Sequence, residues 1–183
     1  MEKTCFIVDI DRCWGCKACQ VACKYEHGIP AAEAKPVEVF RVECKEPDGS
    51  VSCDFLPVAC QHCSDPKCME ACPKGALYRD GEGLIQLRRE NCVGCGLCVK
   101  ACPYGAIQLH VHNGHREIWK CDLCARRRAT GLPASCEQHC LGGVFHSCTE
   151  TEAAELVGKR RYHWSVGQVI YVSDRISSLG AGL

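Results

Sequence analysis

Four cysteines stand within eleven residues in CWGCKACQVAC, residues 13–23, and 20 of the chain's 183 residues are cysteine. Thiolate is a soft ligand, so a chain this rich in it either cross-links itself with disulfides or binds metal. Most of these cysteines fall into four groups: Cys13, Cys16, Cys19 and Cys23; Cys60, Cys63, Cys68 and Cys72; Cys92, Cys95, Cys98 and Cys102; and Cys121, Cys124, Cys136 and Cys140. They read as internal repeats of one unit. The first and third share the spacing C-x2-C-x2-C-x3-C, the run that holds 4Fe–4S clusters in bacterial ferredoxins. There, three thiolates on a tight loop grip one cubane, and the fourth faces away and serves the neighbouring cluster in two-cluster proteins. The second group has a wider central gap, and the fourth an insertion before Cys136. Zinc is the rival for any single C-x2-C pair, and the fourth group alone admits zinc or a different cluster. Two complete runs beside two variants favour iron–sulfur. Thiols packed this closely in sequence are poor cross-links between separate elements, which counts against disulfides.

The elements that must position these loops are short. Pro73 and Pro103 follow the last cysteine of their groups, where a first helical position needs no N–H. Val37–Glu43 and Val51–Leu56 predict a hairpin around Pro47-Asp48-Gly49, and Ala106–Val111 with Arg116–Trp119 a second through Asn113-Gly114. Leu84–Leu87 reads as a strand, Glu150–Arg161 as a helix, and Val166–Val172 as a late strand able to pair with Phe6–Ile10. The tail Ser177–Leu183 is expected to fray. Cys5, Cys44, Cys53 and Cys148 lie outside the groups and are expected to pack as small hydrophobes, with Cys44 and Cys53 able to face each other.

Lys plus Arg and Asp plus Glu each number 22, a balance that argues against nucleic acid as the main partner. The run Arg126, Arg127, Arg128 reads as a solvated face. Lys17, Lys24, Lys67, Lys74, Lys100, Lys120 and Arg126 lie close to cysteines, where they would offset the charge of clusters carrying about −2 or −3 each. His110, His112 and His115 flank a turn and read as exposed, although His110 and His112 share a face that could hold a metal. His62 and His139 sit inside cysteine groups, where they could hydrogen-bond cluster sulfur. Trp14, Trp119 and Tyr104 abut cysteines and are expected to shield them. MEKTCFIVDIDRC has no basic stretch followed by an apolar one, so no secretory signal is visible in it, and no apolar run is long enough to span a membrane. A reducing, cytoplasmic setting is expected. No G-x-G-x-x-G loop is present.

CWGCKACQVACKYEHGIP, the CP-terminated second and third groups, ACPYGAI and above all CDLCARRRATGLPASCEQHC resemble the four-cluster iron–sulfur subunits of the dimethyl sulfoxide reductase family. The same polyferredoxin type serves formate dehydrogenases and tungsten aldehyde oxidoreductases. The resemblance covers residues 4–148. It implies an α+β fold of two interleaved bacterial ferredoxin-like modules, with short strands, cysteine-rich loops and short helices. The outer module would comprise 1–53 with 118–148, the nested inner one 54–117, followed by a C-terminal helix, strand and tail at 149–183. Carried over, the family's crosswise pairing gives four ligand sets: Cys13, Cys16, Cys19 with Cys140; Cys121, Cys124, Cys136 with Cys23; Cys60, Cys63, Cys68 with Cys102; and Cys92, Cys95, Cys98 with Cys72. The implied role is a non-catalytic electron relay to or from a large molybdopterin- or tungstopterin-containing subunit, with a flavoprotein or membrane anchor as a further partner. A free-standing polyferredoxin and a zinc-stabilised binding module are the alternatives. Leu141 departs from the family, which usually has Pro after the last cysteine, so the fourth loop is expected to end differently.

Overall fold

A computed structural model gives the fold, with residues 2–45, 48–112 and 114–176 described. In chain order the elements are β1 (Thr4–Asp9), α1 (Ala18–His27), β2 (Val37–Lys45), β3 (Val51–Ala59), α2 (Lys67–Glu70), β4 (Leu77–Arg79), β5 (Ile85–Leu87), α3 (Leu97–Ala101), β6 (Ile107–His112), β7 (His115–Lys120), α4 (Ala125–Arg128), α5 (Ser135–Gln138), β8 (Phe145–Thr149), α6 (Glu150–Val157), β9 (Tyr162–Val166) and β10 (Val169–Ser173). This is an α+β fold of small sheets and short helices. None of the described helices is long and apolar enough to cross a membrane.

β1 explains its own place. Its run CFIV is apolar at every position, which suits a strand covered on both faces. Phe6 and Val8 point into the main core with Leu56, Leu123 and Phe145, while Cys5 and Ile7 meet Cys148, Ala153 and Val172 on the other side. Fully burying each such side chain contributes about 1.5–3 kcal/mol. The strand is therefore interior to its sheet, which runs β8-β1-β10-β9. β8 lies antiparallel to it, and β10 parallel, with Phe6 opposite Val169 and Asp9 opposite Val172. The expected pairing of the late strand with residues 6–10 is thus present, although β10 starts three residues later than expected. Val166 instead ends β9, because Gly167, at φ +58°, turns the chain back after it.

The helix expected over 150–161 ends at Val157. Thr149 and Glu152 cap its start reciprocally, the Thr149 Oγ1 accepting from the Glu152 N–H and the Glu152 carboxylate accepting from the Thr149 N–H at 2.8 Å. Its far end yields to a stronger interaction, because Arg160 leaves the helical path to meet Asp9, Asp11 and Asp174.

β2 pairs with β3, β4 with β5 and β6 with β7 as antiparallel hairpins. Val37, Val39, Leu56 and Val58 anchor the first hairpin in the main core, while Phe40, Val42 and Val51 are exposed towards its tip. The other two hairpins share a separate core of Leu77, Ile85, Ile107 and Ile118 with Cys98. Pro47, Asn113 and the tail Ser177–Leu183 lie outside the described residues, as do the side chains of Cys44, His112 and His115. Cys5 and Cys148 are buried directly opposite each other, as small hydrophobes, but Cys53 is exposed and stands opposite Glu43 rather than Cys44. Its strand has left the core by that point, and its sulfur accepts from the Arg41 Nε–H.

Candidate iron–sulfur centres

Each cysteine loop makes the same local move. The residue before the second cysteine has positive φ in all four: Gly15 at +71°, His62 at +47°, Gly94 at +63° and Leu123 at +53°. Glycine takes this conformation freely, whereas in other residues it is strained. At Gly94 a Cβ would also lie 2.2 Å from the Arg116 carbonyl oxygen. His62 and Leu123 hold the strained conformation through burial, each being about 1% exposed, and His62 Nδ1 accepts the Ile85 N–H at 2.9 Å.

The exits are alike too. After Cys72, Cys102 and Cys140 the chain turns with the N–H of Gly75, Gly105 and Gly143 donating to the carbonyl of that cysteine. The amides of Ala76 and Val144 then donate to Cys72 Sγ and Cys140 Sγ, at 3.3 and 3.4 Å. Leu141 therefore does not alter the fourth loop: the glycine two residues on makes the turn, and the leucine side chain points into solvent.

These moves gather cysteines from distant groups. Cys13, Cys16 and Cys19 line one cavity with Cys140. Cys60, Cys63 and Cys68 line another, of about 370 Å³, with Cys102 and Tyr104. Cys92, Cys95 and Cys98 line a third with Cys72. Besides burial, Cys23 feels Cys124 more strongly than Cys19 of its own group, and Cys136 feels Cys121, Cys124 and Cys23 ahead of Cys19. Burial pushes the thiols up, Cys19 and Cys23 to about 12 and Cys68 and Cys98 to about 11, with neighbouring thiols adding to the rise. Cys72 goes the other way. Burial would raise it, but the amides of Lys74, Ala76, Leu77 and Gly75 outweigh that and hold it below its ordinary value.

Among the surrounding groups the outcome is mixed. Lys67 pairs with Asp65 and Glu70 at the surface, and Lys24 caps the carbonyls of Pro30, Ala31 and Glu33. Of the lysines close to cysteines, Lys120 alone is buried. The arginine run is not a solvated face: Arg126 is exposed, but Arg127 meets Glu26 at 3.0 Å and Arg128 meets Glu82 at 2.6 Å, both only 15% exposed. His110 is buried rather than exposed, held between Glu33 and Glu117. His139 Nδ1 pairs with the Ser135 carbonyl. Trp14 is largely exposed, yet it lines the cavity of Cys13, Cys16, Cys19 and Cys140. Sequence spacing carries no sign of His27, whose Nε2 stands 3.6 Å from both Cys124 Sγ and Asp122 Oδ1. Asp122, beside Cys121, and a histidine ending α1 are the signals that point to it.

All-thiol donor sets suit soft metal centres, and main-chain amides aimed at cysteine sulfur are the hydrogen bonds an anionic cluster accepts. The residues fit a 4Fe–4S group, which supplies one-electron redox chemistry when bound. Comparison with known proteins agrees. Residues 51–150 match the model of the 4Fe-4S dicluster domain, and residues 10–26 that of a 4Fe-4S binding domain. The chain is 34% identical over 169 residues to the iron–sulfur subunit of the nitrate-inducible formate dehydrogenase of Escherichia coli, covering 84% of this chain and 57% of that protein. It is 36% identical over 141 residues to one subunit of the anaerobic dimethyl sulfoxide reductase of the same organism, covering 74% and 68%. With the thiosulfate reductase electron transfer subunit of Salmonella typhi it shares 34% over 158 residues, covering 85% and 81%. The chain thus spans less than two thirds of the length of the formate dehydrogenase relative. With its loops, its donor sets and its relatives in agreement, the chain belongs to the 4Fe–4S dicluster family of ferredoxin-type iron–sulfur subunits.

Proposed function

We propose that the chain is an electron-transfer subunit with four 4Fe–4S centres, relaying single electrons to or from a large subunit that carries a molybdenum or tungsten pterin cofactor. The observation that carries this reading is the exchange of fourth cysteines: Cys140 joins the first loop, Cys102 the second and Cys72 the third. The ligand sets are then Cys13, Cys16, Cys19, Cys140; Cys23, Cys121, Cys124, Cys136; Cys60, Cys63, Cys68, Cys102; and Cys72, Cys92, Cys95, Cys98. An inner ferredoxin-like module, 54–117, is nested between the halves of an outer one, 1–53 with 118–148, and residues 149–183 follow. The separate core of β4–β7 supports that division.

The sets run in series. Cys19 is among the neighbours of Cys23 and Cys136, Cys60 is among those of Cys121, and Cys68 and Cys102 share a core with Cys92 and Cys98. Cys16 and Cys95, at opposite ends of that series, are exposed, as an entrance and an exit require. The chain's residues bind and orient the centres and leave the ends approachable. A flavoprotein, a membrane anchor or a soluble carrier is the partner at the far end. The tungsten aldehyde oxidoreductase type is one form the complex takes.

The test is anaerobic affinity purification of the tagged chain followed by metal analysis. A large molybdenum- or tungsten-containing subunit should co-purify, with about sixteen iron per copy of this chain. A chain recovered alone with its iron would be a free-standing polyferredoxin instead.

A further inference from the structure

Lys120 ends β7 immediately before Cys121, and it is 8% exposed. Its ammonium donates to the carbonyl oxygens of Ile85 and Cys121. Both partners are neutral dipoles; among the described residues the ammonium has no carboxylate partner. Burying a cation without an anion is unfavourable. The partly buried arginines 127, 128 and 160 each meet an acidic side chain, so the absence of one at the more deeply buried Lys120 calls for another source of negative charge.

Two such sources flank it. The Ile85 whose carbonyl it grips also lines the cavity of Cys60, Cys63, Cys68 and Cys102. The Cys121 whose carbonyl it grips belongs to the neighbouring set. Burial raises the Cys68 and Cys121 thiols, and in both cases the Lys120 charge works against that rise. Cys121 is in turn within the influence of Cys60. Lys120 therefore occupies the seam between the inner and outer modules, where its charge reaches one cysteine on each side.

We propose that Lys120 is the shared cation of the two middle 4Fe–4S centres, a positioning residue that raises the reduction potential of both at once. This rests on the ligand sets given above. An electron leaving one centre and entering the other moves a negative charge past the same ammonium. No atom or proton changes place, and the cation keeps the two sites close in potential rather than favouring either. A charge belonging to one set alone would shift that set's potential and open a step in the series.

Lys120→Gln tests the charge apart from the hydrogen bonds, because the amide can still donate to a carbonyl. Lys120→Met removes both, and Lys120→Arg keeps both. Each is made in the holoprotein, its iron counted, and its centres titrated under electron paramagnetic resonance. Expected are two of four signals moved to lower potential in the Gln and Met variants, and all four unmoved in the Arg variant. Four unmoved signals in Lys120→Gln, or a shift confined to one signal or spread over all four, would overturn the assignment. Loss of iron from the Gln variant as well as the Met variant would overturn it too, making Lys120 a scaffold residue. Iron well short of about sixteen in the unmodified chain would be recognisable before any variant is made. It would overturn the ligand sets and this role together.

Discussion

Cys23 is the residue at which local and global readings part. It ends the run CWGCKACQVAC, yet its thiol feels Cys124 more strongly than it feels Cys19 of its own run. Cys23→Ser should therefore disturb the centre of Cys121, Cys124 and Cys136, and Cys140→Ser that of Cys13, Cys16 and Cys19. Serine oxygen is a harder, poorer ligand than thiolate, so each variant should lose or shift one signal, and not the same one. Electron paramagnetic resonance during redox titration of both variants reads this directly, and loss of the same signal in both would refute the exchange. The cysteine loops are legible because their spacing is local. His110 is not, because its burial depends on Glu33, contributed by a segment far away in sequence. Cys53 misleads for the complementary reason: alternation along a strand says which face a residue shares, and not where the strand leaves the core.

At the scale of elements, the β9–β10 hairpin escapes the sequence reading although YHWSV and VIYVS flank a glycine-containing two-residue turn, a recognised hairpin signal. What that turn does lies beyond the sequence. Gln168 N–H donates to the Gln61 carbonyl at 3.0 Å, and a Cβ on Gly167 would stand 2.3 Å from that same oxygen. The hairpin thus clasps the second cysteine loop, and only glycine can sit at the contact. Gly167→Ala should cost about 2–4 kcal/mol, combining positive-φ strain with a backbone clash. Gly28→Ala, at φ +63° but with open space around it, should cost only about 1 kcal/mol. Thermal unfolding of the two holoproteins side by side checks the contrast, and equal losses would refute the clasp. The Leu141 departure teaches the reverse lesson, since an unfamiliar residue in a familiar motif leaves the turn intact because Gly143 and the cysteine sulfur make it.

Across the whole molecule, the main core counts Cys19, Cys23, Cys124 and Cys136 among its buried members, and the inner core is built around Cys98. Both cores are thus organised around thiols of the proposed ligand sets. Stripping iron with a chelator should leave a chain without a cooperative, native-like unfolding transition, as in other small metal domains. Calorimetry of holo and stripped protein measures it, and a sharp transition in the stripped chain would contradict it. Fold class and the outline of the N-terminal-to-C-terminal pairing are readable from apolar runs and the cysteine pattern. The end of α6 is not, because Arg160 answers to carboxylates on β1 and beyond β10 rather than to its neighbours in sequence.

The parallel pairing of β1 with β10 also sets a timetable for biosynthesis. β1 finds its parallel neighbour only when residues 169–172 have been made. At roughly 5–20 residues per second that wait is on the order of ten seconds. In the proposed ligand sets the first cysteine loop spends most of that wait without Cys140, whereas the second and third loops emerge close together with each other's missing ligand. The inner centres are therefore the ones whose proposed ligands are complete first. In the proposed ligand sets the outer pair waits for Cys136 and Cys140, so its loading follows that of the inner pair.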